Sequence, residues 1–447
     1  MFANLKHGLM LGLMGVCGSV LALPVYAVDI QRWDTPSGAR VLFVENTAVP
    51  MVDIRLDFDA GSRRDDGRKP GVAGLTLGLL EAGTARLSEE AVQERWADSA
   101  AVLSSELDTD RAGVQLRSLS DPAQLGAAVT LLASLLREPA FPAAILAREK
   151  ARTIAGLQQA EANPSARGQR ALTALLYGNH PYGLSARVTP HTVGQITRGD
   201  VQAFWQRHYQ ARYAVVSMVG NLTRAEAERV ARQLTDGLPA GGQDLAAVPA
   251  VPPQAAAQFK VLPHPASQTH LFLGVPVLTR HDPDYFPLLV GNYILGGGGF
   301  DSRLMKAVRD QRGLTYGVYS QLVPQQEAGE FVLSLSTKAE TADEALQVVN
   351  ATLQQFVAEG ATAAELTQAK SNLVGGFPLR FDSNRKLLGY MAVIGFYRLP
   401  LDWLDSYPKQ VEAVSLAAVR EAWQRRIVPA ALQGVRVGQM AGGKPPQ

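Results

Sequence analysis

The sequence has 447 residues, of which 47% are hydrophobic and 19% are charged, and it contains 41 glycines and 26 prolines. This is the composition of a globular protein, and the length predicts two or three domains. The formal net charge is +2 at pH 7 and no long basic run is present, which argues against a nucleic-acid-binding protein.

The first 27 residues have the pattern of a secretory signal peptide. Lys6 and His7 precede the apolar run GLMLGLMGVCGSVLAL, and PVYA precedes a predicted cleavage site after Ala27. The only cysteine, Cys17, lies in this run, so the mature chain would have neither a disulfide nor a thiol nucleophile. No later stretch approaches 18 uninterrupted apolar residues, as a membrane-spanning helix requires. We therefore expect a periplasmic or secreted protein that is free of the membrane once the signal peptide is removed.

Strands and helices are predicted in clusters along the mature chain rather than in strict alternation. The stretch VDIRLDFDAG, residues 52–61, alternates apolar and charged side chains and predicts a half-buried antiparallel strand. THLFLGVPV and GEFVLSLSTKA predict similar strands in the second half of the chain. Helical periodicity is found at about 88–103, 122–137, 142–161, 342–358 and 362–375. The clustering favours an α+β fold.

Residues 71–84, GVAGLTLGLLEAGT, have the apolar pattern of a helix but carry Gly74 and Gly78 at helical spacing. Each glycine inside a helix is less favourable than alanine by about 1 kcal/mol. A helix that only packed against a core would favour alanine or leucine at both positions. The two glycines therefore mark a helix face whose purpose the local pattern does not explain.

Residues 241–258, GGQDLAAVPAVPPQAAAQ, are rich in Ala, Pro and Gly and show no clear period, which is typical of a semi-extended linker. The linker separates two long stretches of mixed strand and helix pattern. The predicted parts are a signal peptide at 1–27, an N-terminal domain at 28–240, the linker at 241–258, a C-terminal domain at 259–440 and a tail at 441–447.

The two predicted domains resemble each other. VGQITRGDVQAFWQR begins at Val193 and matches VEAVSLAAVREAWQR, which begins at Val411, at an offset of 218 residues. LAREKARTIAGL, from Leu146, matches LTQAKSNLVGGF, from Leu366, at an offset of 220 residues. Two matches in the same order and at nearly the same offset predict a duplicated domain.

Residues 294–320, ILGGGGFDSRLMKAVRDQRGLTYGVYS, place four consecutive glycines before a helix predicted to begin near Ser302. No Gly-Lys-Ser/Thr sequence closes this turn, as it would in a P-loop. A dinucleotide-binding loop would also need a preceding strand of a βαβ unit and an acidic residue about 20 positions later. The residues argue against nucleotide binding, and a flexible turn with a helix start is the simpler interpretation.

The same stretch resembles the second-domain signature of the pitrilysin/insulinase-type zinc peptidases, the inverzincins, which include the mitochondrial processing peptidases. The resemblance extends through the mature chain: GSRRDDGRKPGVAGLTLGLLEAGT, HPYG and YAVVSMVGNLT are similar to first-domain segments of that family. It implies two homologous domains, each an antiparallel sheet with helices packed on one face, that together form half of a clam-shell chamber.

In active relatives the first-domain helix carries the inverted zinc motif His-x-x-Glu-His, in which two histidines bind zinc and the glutamate activates water. The resemblance places the first histidine of this motif at Gly74, the glutamate at Leu77 and the second histidine at Gly78. The third ligand of the family, a glutamate on a later helix, falls at or beside Gly156. We therefore expect these positions to be degenerate and the chain to bind no metal or other cofactor.

The histidines of the mature chain do not replace the missing motif. No pair stands at positions i and i+4 of a predicted helix, and none is followed by a glutamate at catalytic spacing. A Gly-x-Ser-x-Gly elbow is also absent from the sequence. These histidines are His180, His191, His208, His264, His270 and His281.

Two residues of the second-domain signature are retained. In the family an Arg and a Tyr seven residues apart contact the substrate backbone or the developing oxyanion near the zinc, and Arg309 and Tyr316 match both residue types and the spacing. Arginine offers a fork of donors and tyrosine a hydroxyl donor, which suit a carbonyl oxygen that gains charge. The alternative is a surface ion pair for Arg309 and a position packed on a strand for Tyr316.

We therefore expect an exported non-catalytic subunit of a heterodimeric zinc peptidase, which binds an extended peptide through Arg309 and Tyr316. Its partner would be a homologous chain that carries His-x-x-Glu-His and holds the zinc. The alternative is a peptide-binding or structural scaffold of the same fold, as in the core subunits of a respiratory complex that resemble this family. A zinc peptidase that is active by itself is the least favoured hypothesis, because the ligand positions lack donors.

Overall fold

The computed structural model describes residues 28–254 and 256–439. The predicted signal peptide at 1–27, with Cys17, and the predicted tail at 441–447 lie outside the described residues. Within them the chain forms two β-sheets and many helices, so the α+β class predicted from the sequence is confirmed. No helix in this part of the chain has the length and apolar character of a membrane span.

The first half of the chain forms a six-stranded sheet with the strand order β1-β2-β6-β3-β5-β4. Its strands are β1 (Gln31–Asp34), β2 (Arg40–Glu45), β3 (Met51–Phe58), β4 (Val102–Leu107), β5 (Ala112–Leu119) and β6 (Ala214–Gly220). Its helices are α1 (Val72–Gly78), α2 (Glu89–Asp98), α3 (Pro122–Arg137), α4 (Ala143–Glu161), α5 (Pro164–Tyr177), α6 (Pro190–Gln195), α7 (Arg198–His208) and α8 (Arg224–Thr235).

The second half forms a five-stranded sheet with the order β7-β11-β8-β10-β9. Its strands are β7 (Phe259–Pro263), β8 (Gln268–Leu278), β9 (Val318–Val323), β10 (Gly329–Lys338) and β11 (Gln433–Gly438). Its α-helices are α9 (Tyr285–Asn292), α10 (Ala342–Glu359), α11 (Ala363–Gly375), α12 (Asn384–Phe396), α13 (Trp403–Ala413) and α14 (Leu416–Arg426). Two π-helical segments, Tyr293–Gly297 and Met305–Asp310, lie between α9 and β9.

The two sheets share one strand order, because β2, β6, β3, β5 and β4 correspond in position to β7, β11, β8, β10 and β9. Both sheets are mainly antiparallel, as expected, and each also contains one parallel pair. In each sheet the last strand of the half pairs in parallel with an early strand, β2 with β6 and β7 with β11. A parallel pair requires a long crossover connection, and the whole half-chain supplies it.

Strand β3 is buried on both faces, which corrects the prediction of a half-buried strand. Its apolar side chains, Val52, Ile54, Leu56 and Phe58, belong to the core of the first half. Its alternating charged side chains are also buried, and Asp53 and Asp57 have no exposed surface. Because a buried charge needs a partner, Arg117 pairs with Asp53 at 2.8 Å and Arg55 pairs with Asp57 at 2.8 Å.

Helices α5 and α12 are exchanged between the two halves. Helix α5 of the first half packs on β8 and β11, and α12 of the second half packs on β2, β3 and β6. Leu172 and Leu176 of α5 share an apolar cluster with Phe272 of β8. Gly395 of α12 allows a close approach to the first sheet, because a Cβ there would lie 2.5 Å from Val215 Cγ1. Each half therefore completes the core of the other.

The predicted helices agree with α3, α4, α10 and α11 to within a residue at most ends, but the helix predicted at about 88–103 is too long. Helix α2 ends at Asp98, and Ala100 adopts a left-handed φ of 50°. The chain then enters β4, an edge strand that pairs with β5. Residues 102–107 are extended because they pair with β5, and the local periodicity of the sequence does not indicate this pairing.

The segment predicted as a linker has no helix or strand in its described residues, 241–254 and 256–258. It is held against the first half by several hydrogen bonds. Arg64 Nη1 donates to the Ala246 carbonyl at 2.6 Å, and Gln254 Nε2 donates to the Leu176 carbonyl at 2.7 Å. Val248 and Val251 pack against the apolar cluster of α5. The segment therefore lies along the protein surface as a strap.

Candidate functional site

Helix α1 presents Gly74 and Gly78 on one exposed face. Its opposite face is buried in the core of the first half, and Leu77 belongs to that core. The carboxylate of Asp65 accepts hydrogen bonds of 2.7 Å from the Gly71 and Ala73 backbone N–H groups, which fixes the start of the helix. The positions of the two motif histidines thus face the solvent, whereas the position of the motif glutamate is buried.

Gly74 and Gly78 of α1 and Gly156 of α4 all have space for a side chain. A Cβ at Gly78 or at Gly156 would meet no atom within 4 Å, and one at Gly74 would make an ordinary contact of 3.6 Å with Leu107 Cδ2. Helix α1 contacts both α4, which carries Gly156, and β4, which ends at Leu107. Gly74 and Gly78 therefore leave a shallow groove on the exposed face of α1 that side chains could fill without a clash, whereas Leu77 is packed in the core.

The residues around this groove do not fit a zinc ion. A catalytic zinc site takes three nitrogen, oxygen or sulfur ligands from the protein. Gly74, Leu77, Gly78 and Gly156 have no side-chain donor atom. Across residues 28–254 and 256–439, no group of three or more His, Cys, Asp and Glu side chains is arranged to hold a metal ion.

Three of the histidines are bonded to backbone carbonyl groups. His180 Nε2 lies 2.8 Å from the Pro249 carbonyl oxygen, and His281 Nε2 lies 2.6 Å from that of Tyr397. His208 Nδ1 lies 3.1 Å from the Asp59 carbonyl oxygen, and burial lowers the pKa of this histidine to about 4. These contacts stabilise turns and helix packing.

Arg309 lies in the second π-helical segment, and its side chain is partly exposed. Its guanidinium carbon lies 4.7 Å from the centre of the Phe300 ring, a distance typical of a cation–π contact. Its Nη1 atom lies 3.5 Å from Asp310 Oδ1, which is a weak surface ion pair. The guanidinium is therefore oriented chiefly by an aromatic ring and keeps donors open to the solvent.

Tyr316 projects from an anchored turn and is 87% exposed. The neighbouring Thr315 is buried; its hydroxyl group donates to the Ser336 carbonyl at 2.7 Å and accepts from the Gly317 N–H at 3.1 Å. Leu314, on the same turn, is buried as well. The turn is thus fixed on both sides of Tyr316, while the tyrosine itself is not packed on a strand.

Sequence analysis did not identify Phe300 as part of this surface. Phe300 directly follows the four glycines and is 66% exposed. A large aromatic residue next to a run of glycines was the available signal, because exposed aromatic side chains often mark contact surfaces. The outer edges of β4 and β9 were also missed, and each of these strands pairs with only one neighbour in the described sheets.

Comparison with known proteins gives a consistent result for both halves. Residues 40–189 match the family described as insulinase (peptidase family M16), and residues 195–373 match the one described as peptidase M16 inactive domain. A crystal structure described as a peptidase M16 inactive domain from Pseudomonas fluorescens has a TM-score of 0.88 and 36% identity, and the match covers 94% of this chain and 100% of that one.

Two proteins of Helicobacter pylori are more distant relatives. The non-peptidase homolog YmxG (strain ATCC 700392 / 26695) is 26% identical over 418 residues, which cover 93% of this chain and 95% of that protein. The crystal structure of a protease from this organism has a TM-score of 0.84 at 18% identity, over 92% of this chain and 100% of that one. At that identity the second comparison shows a common fold.

Proposed function

This chain belongs to the insulinase-type peptidase family M16, and we propose that it is the exported non-catalytic subunit of a heterodimeric zinc peptidase. The partner is a homologous chain with an intact His-x-x-Glu-His motif, and it holds the zinc ion. This chain supplies Arg309 and Tyr316 to the substrate. Support for a non-catalytic role comes from the donor-free positions Gly74, Leu77 and Gly78, and from relatives described as inactive or as non-peptidase homologues.

The observation that carries the proposal is the exposure of Tyr316, together with an Arg309 guanidinium that an aromatic ring orients. A tyrosine that is 87% exposed on a turn anchored by Thr315 is not a packing residue. Because Phe300 orients the Arg309 guanidinium from one side, the remaining N–H groups are available to a ligand. The Arg309 guanidinium and the Tyr316 hydroxyl group are donors that remain exposed to the solvent, and such donors suit a carbonyl oxygen that gains negative charge.

The exposed strand edges suit an extended peptide. Strand β9 begins two residues after Tyr316 and forms one edge of the second sheet. Strand β4 ends at Leu107, beside Gly74, and forms one edge of the first sheet. An extended peptide can add to such an edge through backbone hydrogen bonds, which makes recognition tolerant of sequence. We therefore propose unfolded or extended peptides as the substrate class.

The test is reconstitution of the pair. The mature chain from Val28 is purified alone and together with a homologous chain from the same genome that carries His-x-x-Glu-His, and cleavage of an unstructured peptide is measured with the zinc content. We expect turnover and zinc only when the partner is present. Turnover and zinc in the lone chain would contradict the proposal.

Variants of this chain then separate a substrate-binding subunit from a scaffold. Arg309→Ala and Tyr316→Phe are each expected to lower the turnover of the pair by about 100-fold, as is typical when one donor to a developing oxyanion is removed. Arg312→Ala is the matched control, because Arg312 lies three residues away and donates to the Ala307 carbonyl. A pair that is active and equally fast with all three variants would leave this chain as a structural scaffold.

Export is tested separately by cell fractionation and N-terminal sequencing. We expect the protein outside the cytoplasm with its N-terminus at Val28. A cytoplasmic protein that begins at Met1 would exclude the exported location and leave the subunit proposal to the reconstitution experiment.

A further inference from the structure

A cleft of about 670 Å³ lies where the two halves of the chain meet. The first half contributes β1, β2 and the start of β6, and the second half contributes the segment that follows α12 and the turn after β8. The cleft lies apart from Arg309, Tyr316 and the groove of α1, none of which line it. Its charged walls are formed by Arg32, Asp34, Arg40, Arg212, His281 and Arg398.

Most charges around the cleft are already neutralised. Arg32 pairs with Asp34 at 3.0 Å, and Arg212 pairs with Asp244 at 2.9 Å. Asp59, which also lines the cleft, pairs with Arg63 and Arg64. Asp34 also lies opposite Arg40 in the β1–β2 ladder, but in the described part of the chain neither Arg40 nor Arg398 has a carboxylate within ion-pair distance.

Arg40 and Arg398 come from different halves and approach each other across the cleft. Partial burial lowers the pKa of Arg40 below its ordinary value, and the positive charges of Arg398 and Arg32 lower it further, so these guanidinium groups lie within electrostatic reach of one another. Neither Arg40 nor Arg398 makes a side-chain hydrogen bond or an ion pair with any residue in the described part of the chain. The nearby carboxylate of Asp34 is already paired with Arg32, so it compensates the like charges of Arg40 and Arg398 only in part, and an anion between them would be favourable.

Arg398 stands directly after the C-cap residue of α12, a position at which glycine is the usual residue. Arg398 has a φ of 54°, in the left-handed region that non-glycine residues rarely adopt. The end of the helix accounts for this conformation, because the Leu399 backbone N–H donates to the Ile394 carbonyl at 2.9 Å, a capping pattern that places a left-handed residue at this position. The Arg398 side chain lines the wall of the cleft and adds a positive charge, which glycine at this position would not supply.

We propose that this cleft binds a phosphate-bearing anion, with Arg40 and Arg398 as its two guanidinium ligands. Guanidinium forks match the oxygen atoms of a phosphate group and form charge-assisted hydrogen bonds with them. The cleft volume lies in the range of sites for small organic ligands, and the side chains of Tyr213 and Phe396 supply aromatic wall. The ligand is thus an inorganic polyphosphate or an organic phosphate, and it contacts both halves of the chain. The site does not depend on the proposed peptidase role.

The test is isothermal titration of the mature full-length chain with pyrophosphate and, separately, with ATP at low ionic strength. We expect binding that weakens as salt is added, because salt screens the charges. Arg40→Gln and Arg398→Gly are each expected to weaken binding by at least about tenfold. Arg152→Gln is the control for the loss of one positive charge, because the Arg152 side chain is 83% exposed on α4. The dissociation constants of this variant should lie within about twofold of those of the unmodified chain.

The two ligands distinguish the two sources of phosphate. Equal affinity for pyrophosphate and ATP supports an inorganic polyphosphate, and an affinity at least about tenfold higher for ATP supports an organic phosphate that uses the aromatic wall. Arg398→Gly relieves the left-handed strain, so its loss of binding is not attributable to unfolding; its melting temperature should equal or exceed that of the unmodified chain. The proposal is overturned if neither ligand binds below about 1 mM, or if Arg40→Gln and Arg398→Gly bind as tightly as the control.

Discussion

The hydroxyl group of Tyr397 donates a hydrogen bond of 2.7 Å to Oδ2 of Asp110. Tyr397 follows α12 in the second half, whereas Asp110 lies in the turn between β4 and β5 of the first half and is buried. The same carboxylate accepts a hydrogen bond from the Tyr182 hydroxyl group and another from the Gln326 backbone N–H, both at 2.9 Å. One buried carboxylate thus joins the two halves.

Tyr397→Phe should lower the free energy of unfolding by about 1.5–3 kcal/mol, the usual contribution of a hydrogen bond to a charged group. Asp110 stays buried in this variant and loses one of its donors. Urea unfolding followed by circular dichroism measures the change. Tyr319→Phe is the control, because Tyr319 is half-exposed, and it should change stability by less than about 0.5 kcal/mol. Equal stability of both variants would show that the contact to Asp110 contributes nothing.

Gly74→Ala should raise the free energy of unfolding by about 0.5–1 kcal/mol. Position 74 lies inside α1 and has room for a Cβ, so the higher helix propensity of alanine acts without a steric penalty. Gly71→Ala is the matched comparison and should destabilise the protein, because Gly71 has a φ of 108° and a Cβ would lie 3.2 Å from Val188 Cγ1. The same urea titration applies, and a destabilised Gly74→Ala variant would mean that the glycine itself is required.

The double variant Gly74→His and Gly78→His should bind zinc, although the unmodified chain has no donors at these positions. Both positions are exposed on one face of α1 and have the i, i+4 spacing of a two-histidine metal site. A ligand at about 100 times its dissociation constant stabilises the folded state by about 2.7 kcal/mol. We therefore expect zinc to raise the melting temperature of the double variant and to leave that of Gly74→His alone nearly unchanged. A double variant indifferent to zinc would show that α1 no longer has the backbone geometry of a metal-binding helix.

His208 should contribute a loss of stability as the pH is lowered from about 6.5 to 4. Burial lowers the pKa of His208 from its ordinary 6.5 to about 4. Over this interval the unfolded chain takes up a proton that the folded chain does not, which favours unfolding by about 3 kcal/mol at the acid end. His208→Gln should remove this contribution.

The measurement is the difference in unfolding free energy between His208→Gln and the unmodified chain across the pH range. This difference is needed because burial also raises the pKa of Asp65 to about 6 and that of Glu330 to about 7. Those two groups act in the opposite sense, since the folded chain then holds the extra protons. A difference that is constant with pH would exclude the role assigned to His208.

Sequence analysis predicted the features that depend on local pattern. Periodicity was sufficient for α3 and α4, and the family signature identified Arg309 and Tyr316 and the donor-free positions of α1 as candidates. Sequence analysis did not predict the burial of Asp53 and Asp57. The helix that covers them is α12, which lies more than 300 residues later in the chain. A strand with alternating charges has the same local pattern whether its polar face meets water or another element.

The charged cleft could not be predicted for the same reason. Arg40 and Arg398 lie far apart in the sequence, and neither stands in a motif. Their proximity depends on the passage of α12 across the first sheet. The left-handed backbone of Arg398 has no sequence signal either, because residues that favour this conformation are glycine and asparagine.

The exchange of α5 and α12 also determines when the protein can finish folding during synthesis. The first sheet is complete once Gly220 has been made, but the helix that covers Leu42 and Val215 is not made until residues 384–396. At about 5–20 residues per second this interval lasts about 9–35 seconds. Throughout that time the uncovered apolar face of the first sheet can bind chaperones. A chain that ends before residue 384 lacks α12, so we expect it to aggregate through this face rather than to form a smaller functional protein.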